Sequence, residues 1–226
     1  MLFLEQMTNK TALVIGATGL VGEETLKQLL KCADYNKVIA LPRKPLSIKN
    51  AKLENPVVDF DKPEQYNNIK ADDVFCAMGT TIGKAGSQAA FKKVDYEIPL
   101  SVAGFAVKNG ATKFILVSSM GANARSGIFY SRTKGELEQA LAKLKYKAVI
   151  VVRPSILLGD RKEQRTGEAI GRFAAEKLSF LFAGPLAKYK GTPVDLLAGV
   201  MIKMANGDKA GVQIVENDEI FAIAEK

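Results

Sequence analysis

Histidine is absent from all 226 residues. That absence removes serine–histidine triads, histidine-ligated zinc and histidine general bases together, because each needs an imidazole. Acid–base chemistry is left to Tyr, Lys, Asp, Glu or Cys, and no metal site is expected. Cysteine is scarce: Cys32 and Cys76 fall in separate predicted elements. They do not form a disulfide framework and suit a reducing compartment, here expected to be the cytoplasm. No uninterrupted apolar run approaches the roughly 18–20 residues of a membrane span. The opening "MLFLEQMTNK" has too short an apolar part, and no small-residue cleavage site, for a signal peptide.

The residues that are present describe an ordinary globular chain, with 47% apolar and 25% charged residues, enough for one α/β domain with a modest appendage. The net charge of +8 is scattered, with acids interleaved among the bases. No basic arm or stripe forms, so nucleic acid is not the expected partner, whereas small anionic ligands fit.

Short β-branched runs alternate with helical patterns over the first 154 residues. "TALVIGA" (11–17), "KVIAL" (37–41), "NPVVDF" (55–60), "DDVFCAM" (72–78), "TKFILVSS" (112–119) and "KAVIVVRP" (147–154) read as strands. Helices are predicted over 22–31, over 87–108 with a kink or division at Pro99, and over 130–144. Near-continuous apolar strands separated by helices predict a parallel sheet covered on both faces. The expected fold is therefore α/β, a Rossmann-like doubly wound parallel sheet in a single domain over 1–226. Residues 155–210 are expected to form a small substrate-side cap. Within it, "FAAEKLSFLFAGPLAKYK" (173–190) joins Phe173, Phe180 and Phe182 to lysines. It reads as aromatic packing of the cap; the alternative is contact with an acidic membrane surface or a lipid-like substrate.

"VIGATGLVG" sets Gly16, Gly19 and Gly22 at three-residue spacing between the first strand and a helix. Such glycines permit a tight turn, close approach of a pyrophosphate and close helix–strand packing, which points to a dinucleotide. The second strand ends in "VIALPRKPL", with Arg43 and Lys44 where an NAD-specific fold offers an acid. Bases there suit a ribose 2′-phosphate, so NADP is expected rather than NAD. "GTTIGKAGS" (79–87) falls one residue short of a phosphate-binding P-loop, and Ala85 follows its lysine. It is expected to line the cleft from the side.

Tyrosine and lysine occur four apart twice, as Tyr66–Lys70 and Tyr130–Lys134. The first follows no strand that would supply a hydroxyl partner and reads as a surface feature. The second opens the helix after "FILVSS", at the carboxyl edge of the sheet where ligands bind. A free phenol has a pKa near ~10; a neighbouring ammonium favours tyrosinate and lowers it. Tyr130 can then exchange a proton with a substrate oxygen while Ser118 bonds the same atom. The pleat allows only one of Ser118 and Ser119 to face the site, and Ser118 is preferred.

The set "GATGLVG", "VDF", "VSS", "YSRTK" and "RPSILLG" resembles the short-chain dehydrogenase/reductase superfamily of extended or atypical kind. More narrowly, "CAMGTTIGKAGSQAAFKKVDY", "VSSMGA" and "RPSILLGDRKEQRTGE" resemble the family of the vertebrate Tat-interacting protein and its bacterial relatives. The resemblance covers essentially the whole chain and implies an NADPH-type cofactor. It implies that Thr18, Gly19, Leu20 and Val21 wrap the pyrophosphate, that Asp59 and Phe60 contact adenine, and that Ala77, Met78 and Gly79 line its ribose. It also implies that Lys134 holds the nicotinamide ribose and that Pro154 and Ile156 lie against the nicotinamide. Asp95 stands where the superfamily commonly has an asparagine in a proton relay. The resulting expectation is an oxidoreductase acting on a small molecule with a carbonyl or hydroxyl group, as monomer or homodimer. The alternative is a non-catalytic NADPH-binding scaffold with a protein partner.

Overall fold

The computed structural model describes residues 9–159 and 189–225. Six parallel pairings order seven strands as β3-β2-β1-β4-β5-β6-β9. The strands are β1 (Lys10–Ile15), β2 (Tyr35–Leu41), β3 (Leu53–Glu54), β4 (Asp73–Cys76), β5 (Lys113–Val117), β6 (Ala148–Arg153) and β9 (Gly211–Glu216). A separate two-residue pair joins β7 (Leu157–Leu158) to β8 (Thr192–Pro193). The order reverses between β1 and β4, the topological switch point at which open α/β sheets bind ligands.

Strand pleating sorts the core. Ala12, Val14, Phe75, Ile115, Ile150 and Val152 face one layer, which holds α1 (Leu20–Lys31) and α6 (Val194–Asn206) through Leu26, Leu29, Leu197 and Met201. Leu13, Ile15, Val74, Phe114, Leu116 and Val151 face the other. There α4 (Ile98–Lys108) and α5 (Phe129–Ala142) bury Val102, Ala106, Leu137 and Leu141. Both faces are dry, which is why these strands read as continuous apolar runs.

Three local readings change. "NPVVDF" is not a strand: only Leu53 and Glu54 pair with β2. Pro56 has no N–H for a ladder, and the Asp59 backbone and side chain instead organise a turn, accepting from Lys62 and Asp61. The end of the chain, not assigned from sequence, forms β9 and then α7 (Asn217–Ala224), opened by a capping box between Glu216 and Glu219. Tyr66 is no surface feature; it is 4% exposed and packs on Phe60 and Phe105.

The helix expected over 87–108 is divided before Pro99. A short α3 (Gln88–Lys92) runs into a π turn at Lys93–Glu97, closed by the Ile98 N–H on the Lys93 carbonyl, and then into α4. Pro99 cannot donate to the Asp95 carbonyl one turn back, so the wider turn replaces the regular one. Residues 160–188, which include most of the expected cap and of the segment 173–190, lie outside the described residues. Within the range 155–210, α6 packs against α1 as part of the core. No described helix is long and apolar enough to cross a membrane.

Candidate active site

The turn after β1 is built so closely that a side chain is excluded at Gly16 and at Gly22. Gly16 adopts φ +85°, and a Cβ there would stand 2.6 Å from the Ala77 carbonyl. At Gly22 a Cβ would lie 2.1 Å from the Gly16 carbonyl oxygen. Gly19 caps α1 without any side-chain hydrogen bond. The first N–H groups of α1 are therefore left to an external acceptor, with the helix dipole favouring an anion. These glycines fit a bound pyrophosphate.

A cavity of about 900 Å³ opens beside this turn. Thr18, Gly19, Leu20, Val21, Ala77, Met78 and Gly79 line it, together with Ser118, Tyr130 and Lys134. Thr80, Thr81 and Lys84 of the "GTTIGKAGS" loop close one side, and Thr81 caps the short α2 (Ile82–Ala85) through its hydroxyl. The remaining sequence-predicted residues stand apart from this wall. Gly16 lies beneath the turn. Arg43 and Lys44 are exposed on the loop after β2 and Asp59 is exposed beyond β3, while Phe60 is buried against Tyr66. Pro154 is buried, its carbonyl accepting from the Met120 N–H, and Ile156 is 57% exposed.

Helix α5 carries three polar side chains on one stripe. Tyr130, Lys134 and Glu138 recur at four-residue spacing, so they share a face, while Leu137 and Leu141 point into the core. Gly135 lets this helix approach the loop that follows β5: a Cβ there would meet Ala124 N at 2.2 Å. Tyr130 packs its ring on Phe91 at 5.6 Å. Ser118 lines the cavity, whereas the Ser119 hydroxyl turns to the Met120 carbonyl.

Lys134 and Asp95 form a buried ion pair, Nζ to Oδ1 at 2.7 Å, with side chains 5% and 0% exposed. The contact is short but not well directed as a hydrogen bond, so its strength is chiefly Coulombic. The other Asp95 oxygen accepts the Thr80 N–H at 2.8 Å. Burial alone pushes the ammonium pKa down; the Asp95 charge, aided by Tyr130, overrides it and raises Lys134 above its ordinary 10.5. Cys76, buried beneath the site, is pushed up to about 11 by burial and is inert as a nucleophile.

The third polar group was not singled out from sequence. The Ser118 hydroxyl donates to Glu138 Oε1 at 2.5 Å. Arg153 grips the same carboxylate with Nε at 3.1 Å and Nη2 at 2.5 Å, and reaches Glu216 with Nη1 at 2.7 Å. The hydrogen bonds to Glu138, set against partial burial, hold the Arg153 pKa above its ordinary value. The four-residue step from Lys134 was the signal that could have found Glu138.

With this geometry in place, the comparisons are specific. Residues 16–168 match a family described as NAD(P)H-binding. The chain belongs to that family. Protein FMP52, mitochondrial, of Eremothecium gossypii is 32% identical over 221 residues, covering 95% of this chain and 97% of the relative. Protein HTATIP2 of Rattus norvegicus is 33% identical over 221 residues, covering 96% and 90%. Among solved structures, a UDP-N-acetylglucosamine 4-epimerase from Methanobrevibacter ruminantium M1 superposes with TM-score 0.69 at 17% identity, covering 93% of this chain and 77% of that one. MoeE5 in complex with UDP-glucose and NAD gives TM-score 0.69 at 16% identity, covering 95% and 81%. At those identities the structures share the fold, a Rossmann-like parallel sheet flanked by helices. The cytoplasmic expectation is overturned by the fungal relatives, which are named mitochondrial. Two separated cysteines report a reducing compartment, and the cytosol is not the only one.

Proposed function

We propose that this protein is an NADPH-dependent oxidoreductase that interconverts a carbonyl and an alcohol, with Tyr130 giving and taking the proton. The observation that carries the reading is that Ser118, Tyr130 and Lys134 line the same cavity as Thr18 to Val21 of the glycine turn and the open N-terminus of α1. A bound nicotinamide dinucleotide supplies or accepts the hydride. Thr18 to Val21 would hold its phosphates and Ala77 to Gly79 would line its adenine ribose; Pro154 and Ile156, outside the cavity lining, are assigned to its nicotinamide end by the resemblance alone. Tyr130 exchanges a proton with the substrate oxygen, and Ser118 fixes that oxygen in place. The Lys134 ammonium stands one helical turn from Tyr130 on the same face of α5. Preference for NADPH rests on Arg43 and Lys44, since no acid occurs from Pro42 to Lys52. Asp59 and Phe60 are the adenine-side residues. The test is Tyr130→Phe, assayed for carbonyl reduction and, separately, for NADPH binding. Lost turnover with retained binding supports the reading.

A specific pair of observations favours a second reading. The charge of Lys134 is compensated by Asp95, and the Ser118 proton is held by Glu138; both subtract from the acid–base machinery. On this reading the protein binds NADPH and acts through a protein partner. Absence of turnover by the parent protein across a broad carbonyl panel, with tight NADPH binding, selects it.

A further inference from the structure

The hydrogen-bond polarity of Ser118 is set from behind. A serine hydroxyl has one proton and two lone pairs, and a carboxylate gripped by an arginine fork only accepts. The Ser118 proton is therefore spent on Glu138, at a distance typical of a strong O–H···O⁻ bond. Glu138 is 7% exposed and cannot turn away without abandoning Arg153, which is itself tied to Glu216 at the start of α7. What Ser118 presents to the cavity is an acceptor. A carbonyl oxygen, itself an acceptor, gains nothing from it; an alcohol hydroxyl donates to it in the bound ground state, and must turn that single proton to Tyr130 before hydride leaves.

We propose that Glu138 is a positioning residue that fixes Ser118 as an acceptor and so makes the resting site selective for the alcohol side of the couple. The selectivity rests on the oxidoreductase reading above; the hold of Glu138 on Ser118 does not. Glu138→Gln is the informative change. A glutamine oxygen still accepts from Arg153, and its NH₂ then donates to Ser118 and frees the serine proton toward the cavity. Ser118→Ala, which removes the hydroxyl and little else, is the companion variant.

Two measurements decide. Proton NMR of the cofactor-free protein is expected to show a slowly exchanging hydroxyl resonance downfield of the amides, lost in both Ser118→Ala and Glu138→Gln. Its absence from the parent protein overturns the proposal, as does its survival in Ser118→Ala. Steady-state kinetics then use benzyl alcohol with oxidised cofactor and benzaldehyde with reduced cofactor. Glu138→Gln, which frees the serine proton and still leaves its oxygen one lone pair, is expected to lower the aldehyde KM roughly tenfold, the worth of one hydrogen bond, and to change the alcohol KM little. An equal fall in kcat for both, with no split in KM, means a merely structural role and overturns the selectivity. If neither compound turns over in the parent, the oxidoreductase reading and the selectivity fail together, and the proton resonance alone decides whether Glu138 holds Ser118.

Discussion

Removing the Tyr130 hydroxyl as Tyr130→Phe is expected to cost about 10²–10⁴-fold in kcat, the range a positioned acid–base group contributes, while the NADPH Kd changes little. Stopped-flow absorbance and calorimetry read the two quantities separately. Asp95 bears on a different observable. Because Lys134 is raised in the folded state, its pairing stabilises the fold fully below pH 10.5, and that contribution is lost as pH rises through the folded value. In Asp95→Asn the push of burial prevails and Lys134 is depressed, so stability rises with pH toward 10.5 instead. Urea midpoints measured from pH 8 to 11 in both proteins test the reversal of slope; parallel curves contradict it. Some of this was legible in the sequence and some was not. Gly16, Gly19 and Gly22 announced a phosphate turn by their spacing, and at Gly16 and Gly22 only glycine tolerates backbone atoms within 2.1–2.6 Å of a Cβ position. Asp95 was singled out by the resemblance as a charge bearing on Lys134, and the structure adds the direct ion pair between them, which nothing local to "KKVDYEI" specifies because Lys134 lies 39 residues on.

Helix α5 illustrates what an element requires of its neighbours. Alanine ordinarily stabilises a helix interior by roughly 1 kcal/mol over glycine. At Gly135 the sign is expected to reverse, since the new methyl would meet the Asn123–Ala124 backbone at 2.2–2.7 Å. Overpacking of that kind costs about 1–3 kcal/mol, and calorimetric melting of Gly135→Ala should show a lower Tm; an increase would mean that the loop yields freely. Helix α6 is tested in the opposite sense: Leu197, fully buried between α1 and the sheet, should cost about 2–5 kcal/mol as alanine. Strands that are buried on both faces were readable as apolar runs. "NPVVDF" misled because Val57 and Val58 carry strand propensity while Pro56 and the Asp59 turn break the ladder. Strand β9 escaped notice because Val212 and Ile214 are half exposed at the sheet edge, so its pattern alternates where the other strands are continuous.

For the whole molecule, seven parallel strands with a reversal at β1/β4 bring the glycine turn, Ser118 and the α5 stripe to one edge. Sequence alone supplied that convergence, because each βα unit places its strand's carboxyl end on the same side. It did not supply Glu138 and Arg153, whose link to Ser118 runs from α5 through β6 to the final strand, β9. The net charge of +8 should make binding of an anionic dinucleotide weaken with added salt. The most direct test of the central claim is calorimetric titration of the protein with NADPH and, separately, with NADH. Tight binding of NADPH, at least tenfold stronger than NADH and weakened by Arg43→Ala, is the predicted result, a tenfold ratio being about 1.4 kcal/mol. Binding of neither would contradict it and reduce the turn at 16–22 to a structural feature.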